Sequence, residues 1–337
     1  MGRPSRLTVL RRRPIGPVSP DDFEIVEVEV GSPRRGEVVV ENHVMSVEPY
    51  MRKRLDAATT YLPPYEVGRP LNGPAVGRVV ESAAAEIAVG DWVFHHGGWR
   101  EVARVAAAHC EVIDTAAAPP SAYLGVLGLP GLTAYVGTVD IGRPGPGDVV
   151  LVSGAAGAVG SLAGQIARVR GARVLGSAGS DAKVRWLVDE LGFDAAVNYR
   201  TDDLDTFLSR EAPDGITVYF DNVGYDHLQA ALAHAADRAR FVMCGTVADY
   251  DRDAAPAGPS NLFEIVGRRL TLQGFVISDH DDRRPDFIAD VARWIGDGEV
   301  HYHETFAHGL DQAPAALRDL LDGVAMGKML VTLGGQE

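Results

Sequence analysis

Apolar and polar positions alternate in short runs over residues 23 to 115. FEIVEVEV, EVVVENHVMSV, AVGRVVES and GDWVFHH alternate or run apolar, and Gly and Pro separate them. A period of two bounded by turn residues predicts short strands. RPGPG at 143–147 breaks that pattern, and the period changes beyond it. The apolar run VVLVS leads into a segment of helical spacing from about Val159 to Arg170. RVLGS, a helix from about Asp181 to Leu191, AAVNY, a helix near Leu204 to Glu211, TVYFDNV, the helix HLQAALAHA, RFVMCG and LQGFVIS follow in order. Strands alternating with helices through short links predict a parallel, doubly wound α/β sheet. After about Glu299 the chain reads as a helix, APAALRDLLDG, and a strand, KMLVTL, which are expected to return to the first domain. The division expected is 1–128 with 300–337 for a mostly β domain, and 129–299 for the doubly wound one.

The junction VVLVSGAAGAVGS, Val149 to Ser161, carries the most chemistry. Gly154, Gly157 and Gly160 stand three apart between a buried strand and a helix. That context places free helix N–H groups and a positive dipole end where a pyrophosphate can sit. Small residues let the backbone approach the phosphates and the helix approach the strand. The junction is read as a dinucleotide site.

The second strand of such a site usually ends in an acid that holds the ribose 2′-hydroxyl. Here RVLGS runs into Ala178, Gly179, Ser180, Asp181, Ala182 and Lys183, with no acid at the strand end. Small residues and one cation favour a 2′-phosphate, hence NADPH. Asp181 is the counter-signal, and it also suits the first turn of a helix.

The net charge of −14 over 337 residues argues against a nucleic-acid or anionic-membrane partner. No apolar run reaches the roughly 18 residues of a membrane span. Arg3, Arg6, Arg11, Arg12 and Arg13 precede the first acid, Asp21. With no apolar signal core after Met1, a basic strand end explains them better than a targeting peptide. Two cysteines, Cys110 and Cys244, fit a reducing, cytoplasmic compartment rather than a disulfide framework. They cannot supply the cysteine-rich sites of zinc alcohol dehydrogenases. His95 with His96, and His301 with His303, read as loop or surface histidines, so no metal is expected. The reaction then rests on the nicotinamide, and hydride delivery to an activated carbon–carbon double bond asks less of the protein than ketone reduction.

MSVEPYMRKRL, LGLPGLTAYVG, SGAAGAVGSLAGQIA, GSDAKVRWL, NYR, YFDNVG and MCGTVADY occur in that order. Together they resemble the zinc-independent medium-chain dehydrogenase/reductases, in the branch with prostaglandin, curcumin and alkenal double-bond reductases. The resemblance implies a GroES-like, mostly β substrate domain with a Rossmann domain inserted. It implies cofactor contacts at Ala156, Gly157, Ala158, Val159, Lys183, Tyr199, Asn222, Cys244, Gly245, Phe275, Val276 and Ile277. Tyr250 matches the tyrosine implicated in the reduction step, and Tyr50 one that lines the substrate cleft. A small-molecule substrate and a homodimer are implied as well. The family's asparagine shortly before a C-terminal Gly-Lys is absent from the segment Gly323 to Lys328. Tyr61 and Tyr65 could line an aromatic entrance or pack a loop. The leading expectation is an enone or enal reductase. Hydride-initiated cyclisation of a specialised metabolite and non-catalytic NADPH binding are the alternatives.

Overall fold

The computed structural model describes residues 2–58, 60, 62–250 and 257–334. The chain starts with strands β1 (Arg3–Leu10) and β2 (Phe23–Val30), paired antiparallel from Arg3↔Val30 to Leu10↔Phe23. Arg3 and Arg6 lie in β1, Arg11, Arg12 and Arg13 follow its end, and Arg3, Arg6, Arg12 and Arg13 have partners. Arg3 meets Glu81, Arg6 meets Glu101 and Asp311, and Arg12 meets Asp22. Arg13 donates to the backbone carbonyls of Leu55, Asp56 and Tyr65.

Strand β3 (Glu37–Ser46) organises the next sheet, followed by α1 (Tyr50–Arg54), β4 (Ala75–Ser82), β5 (Trp92–His95), β6 (Val102–Ala106) and β7 (Glu111–Val112). One side of β3 pairs antiparallel with β4. On its other side, Glu37 to Glu41 pair with β6, which leaves its C-terminal end for another strand.

The chain then builds α2 (Leu129–Tyr135), β8 (Val149–Val152), α3 (Ala158–Val169), β9 (Arg173–Ala178), α4 (Asp181–Arg185), β10 (Ala195–Asn198) and α5 (Leu204–Glu211). It continues through β11 (Ile216–Asp221), α6 (Tyr225–Ala233), β12 (Ala235–Met243), α7 (Phe263–Gly267), β13 (Thr271–Gly274) and α8 (Arg284–Gly296). The strands align parallel in the order β10-β9-β8-β11-β12-β13. This is the doubly wound dinucleotide order, and it reverses between β8 and β11, where such sheets bind ligands. Leu151, Leu175, Tyr219 and Phe241 belong to one buried cluster of this sheet, as strands covered on both faces require.

Finally β14 (Glu304–His308), α9 (Ala313–Leu321) and β15 (Lys328–Thr332) complete the chain. Strand β15 runs parallel to β14 and antiparallel to β3, with Leu330 opposite Ser46 and Thr332 opposite Val44. It fills the end of β3 that β6 leaves open. By contacts the chain divides into two units. The first holds Met1–Gly125, Glu304–Glu337 and Tyr250; the second holds Val126–Asp249 and Ala254–His303.

Three local expectations change. LQGFVIS is strand only as far as Gly274, and a tight helical turn follows at Ile277–Arg283. Helices α2 and α8 were not expected. The first contains Pro130 and Gly131, which mask its period. The second starts with Pro285 near its N-terminus and buries Phe287, Val291 and Trp294, a helical spacing that the surrounding charges obscure.

Candidate functional site

The β8–α3 junction turns at Gly154, whose φ of +58° suits glycine. The Gly157 N–H donates to the Gly154 carbonyl at 3.1 Å, and Ala155 N–H ties the loop to Ser177 of β9 at 2.9 Å. A Cβ on Gly160 would lie 2.5 Å from the Gly154 oxygen and 2.9 Å from the Ala155 Cα. The third glycine therefore sets how closely α3 sits on its strand. Gly157 is the N-cap of α3, and no side chain caps that end. The first-turn N–H groups of Ala158, Val159 and Gly160 have no carbonyl one turn back within the helix. Ala156 is buried beside them. This cradle fits a pyrophosphate.

The end of β9 fits the extra phosphate. Ser180 caps α4, accepting from the Lys183 N–H at 3.4 Å. Burial, followed by the charge of Arg200, pushes the Lys183 ammonium pKa down. The Asp181 carboxylate is engaged, since Asn198 Nδ2 donates to its Oδ1 at 2.6 Å. Tyr199 is partly exposed and meets the His227 ring edge to face, with centroids 4.9 Å apart.

The neighbouring strand end is organised by Asp221, which the sequence reading passed over. Its carboxylate is fully buried. One oxygen accepts from Ser153 Oγ at 3.0 Å, Tyr219 OH at 2.8 Å, Val223 N–H at 2.9 Å and Gly224 N–H at 2.8 Å. Its backbone carbonyl accepts from Cys244 and Gly245. Asn222 Nδ2 donates to the Ser153 carbonyl at 2.8 Å. The Asp221 carboxylate thus fixes Ser153, its backbone carbonyl fixes Cys244 and Gly245, and Asn222 is tied to Ser153 beside them at the switch point. A charged residue ending an otherwise apolar strand, YFDN, was the available signal, since a buried charge demands donors. Burial, with Asp221 nearby, lifts the Cys244 thiol to about 12, so it stays protonated and unreactive. Phe275, Val276 and Ile277 leave the end of β13; Val276 is exposed, and Phe275 lies near the His280 ring.

In the first unit a small, open pocket is lined by Tyr50, Lys53, Arg54, Thr60, Leu62 and Tyr250. Tyr50 and Tyr250, far apart in sequence, therefore line the same pocket. Lys53 Nζ stands 5.3 Å from the centre of the Tyr250 ring, within cation–π range. Tyr65 packs instead: it is buried, its hydroxyl donates to the Asn72 carbonyl at 2.6 Å, and Arg54 stacks on its ring at 3.9 Å. Tyr61 lies outside the described residues, as do residues 251–256 of the loop after Tyr250.

Behind α1 lies a buried ion pair. Lys328 Nζ donates to Glu48 Oε1 at 2.7 Å, to the Val47 carbonyl at 3.3 Å and to Ser46 Oγ. Lys328, Glu48 and Ser46 are all under a tenth exposed. This pair links β15 to the segment that carries Tyr50.

Residues 6–113 match the family described as the N-terminal domain of oxidoreductase, and residues 158–295 that described as zinc-binding dehydrogenase. The chain is 42% identical over 325 residues to the putative NADP-dependent oxidoreductase YfmJ of Bacillus subtilis, covering 96% of each chain. It is 37% identical over 333 residues to the NADP+-dependent 2-alkenal reductase of Nicotiana tabacum, covering 97% of each. Its fold matches CurA from Vibrio vulnificus in complex with NADPH with a TM-score of 0.94, at 35% identity, over 98% of this chain and 100% of that one.

The chain belongs to the zinc-independent medium-chain dehydrogenase/reductases. Among the described residues of this medium-chain reductase, no three His, Cys, Asp or Glu side chains group as metal ligands. Both His95 nitrogens are engaged: Nδ1 accepts from Gly97 N–H at 2.9 Å, and Nε2 faces Asn42 Oδ1 at 2.9 Å. Burial holds the His95 pKa down at about 3, aided by the charges of Arg100 and His96. In the segment Gly323 to Lys328, Ala325 is buried in the core and the Met326 backbone is held by Thr305 Oγ1.

Proposed function

We propose that this reductase uses NADPH to saturate the carbon–carbon double bond of α,β-unsaturated ketones and aldehydes. The observation that carries the reading is the pocket that unites Tyr50 and Tyr250, in a chain whose relatives include an alkenal reductase. NADPH, when bound, supplies the hydride for the β-carbon. Ala156 to Val159 would hold its pyrophosphate, and Lys183 and Tyr199 its 2′-phosphate. Asn222, Cys244, Gly245 and residues 275–277 would hold its nicotinamide half. Tyr250 donates its hydroxyl to the oxygen on which negative charge develops as the enolate forms. Lys53 steadies the Tyr250 ring from above. Tyr50 lines the same pocket and shapes the space left for the substrate.

The test is NADPH oxidation with a panel of enones and enals, with product analysis. The expected product gains two hydrogens and no new carbon–carbon bond. Tyr250→Phe should lower kcat about a hundredfold, the order seen when one oxyanion donor is lost, while NADPH affinity stays unchanged. Unchanged turnover of every active substrate would refute the tyrosine's role. Absence of NADPH oxidation across the panel would refute the activity.

The assembly we propose is a homodimer through the β13 edge. Among the described residues, strand β13 is last in its sheet, with no strand paired beyond it. Just before it, Leu262, Phe263 and Val266 are 52%, 79% and 68% exposed. An apolar patch beside an open edge suits a twofold, self-complementary contact. Light scattering should give twice the chain mass for the native protein and one chain mass for Phe263→Glu. A native protein of single chain mass would end this proposal.

A further inference from the structure

We propose that Arg200 is a second cation for the cofactor's ribose 2′-phosphate and, with Lys183, sets the preference for NADPH over NADH. The inference deepens the NADPH reading and rests on it.

Three observations converge on Arg200. The first is the space at Gly179. A Cβ there would come within 3.1 Å of Tyr199 OH and 3.3 Å of Arg200 Nε. Both side chains therefore lean over one bare Cα at the end of β9, where a dinucleotide's adenosine ribose docks in this strand order. A phenol hydroxyl and a guanidinium converging on such a point make a donor set for an oxyanion.

The second is charge. Arg200 lies close enough to Lys183 to disfavour its charged form, adding to the effect of burial. Two like charges held near each other raise the free energy of the apoprotein. A dianionic phosphate between them reverses that effect, whereas a ribose hydroxyl does not.

The third is Asn198, a buried amide at the end of β10. Its Nδ2 donates to Asp181 Oδ1 at 2.6 Å, and its Oδ1 accepts from the Arg200 backbone N–H at 3.2 Å. One side chain thus restrains the nearby carboxylate and fixes the backbone from which Arg200 projects. The arrangement ties the carboxylate to an amide and holds the backbone whose side chain reaches Gly179.

A rival role for an exposed arginine at this position is stacking on the adenine face. That contact would serve NADPH and NADH alike, so the two roles separate by experiment. Calorimetry with NADPH, NADH and adenosine 2′,5′-bisphosphate should be run on the native protein, Arg200→Gln and Arg200→Lys. Arg200 is exposed, and its backbone bond to Asn198 survives substitution, so the variants should fold; matching melting curves would verify this. The expected result for Arg200→Gln is a roughly tenfold to hundredfold loss for NADPH and the bisphosphate, as for a lost charge-assisted bond. NADH affinity should move by less than about twofold. Arg200→Lys should keep part of the affinity, because the charge remains while the fork is lost. Equal losses for NADPH and NADH, or no loss for either, would overturn the assignment. A native protein that binds no NADPH would instead bring down the cofactor reading itself.

Discussion

Lys328→Met should lower the unfolding free energy of the first unit by about 3–5 kcal/mol, the usual consequence of leaving one member of a buried ion pair alone. Glu48 would lose its ammonium partner in a site under a tenth exposed, with Ser46 Oγ as its remaining side-chain donor at 2.6 Å. Water cannot enter to solvate it without opening the contact between β15 and the turn before α1. Adding Glu48→Gln to Lys328→Met should restore more than half of the loss, since an amide carries no charge to desolvate. The measurement is a denaturant titration followed by Trp92 and Trp99 fluorescence, with Trp186 and Trp294 of the second unit replaced by Phe. A drop below about 1 kcal/mol would match a solvent-exposed pair and contradict the burial described here.

Gly160→Ala is expected to remove at least two orders of magnitude of NADPH affinity. Its new methyl meets backbone atoms, the Gly154 oxygen at 2.5 Å and the Ala155 Cα at 2.9 Å, and backbone has no rotamer to escape into. The start of α3 must retreat from its strand, taking the phosphate-facing N–H groups with it. Overpacking of this kind also costs the apoprotein about 1–3 kcal/mol. Gly157→Ala supplies the contrast. Its methyl would stand 3.4 Å from the Gly154 oxygen, an ordinary contact, so stability should hold while the methyl crowds the pyrophosphate. Calorimetry and melting curves on the two variants distinguish these outcomes. Equal stability of both variants would mean that the third glycine does not govern helix–strand spacing.

What the sequence discloses depends on how local the cause is. The β8–Gly154–α3 junction is legible because a strand, a positive-φ turn and a helix start all fall within a dozen or so neighbouring residues. The alternation that follows is legible for the same reason. The Glu48–Lys328 pair is not, because neither residue differs from a solvated charge until β15 is laid against β3. Asp181 reads ambiguously for a similar cause: its effect depends on Asn198, which reaches it only once β10 lies beside β9. Tyr65 stays open for the same cause: in a proline-rich stretch it could line an entrance or pack a loop, and Arg54 and the Asn72 carbonyl hold it inside. Helix α2 was hidden by Pro130 and Gly131, which ordinarily punctuate chains, although proline is well placed in a first helical turn.

The pairing of β15 with β3 also fixes the order of events during translation. A ribosome delivers Val44 to Ser46 long before their partners Leu330 to Thr332. Throughout synthesis of the intervening doubly wound unit, the nascent chain carries an unpaired strand margin and a carboxylate still awaiting its ammonium. Such a margin invites mispairing. Expression yield should therefore fall sharply when translation stalls before β15, Lys328–Thr332, has been made.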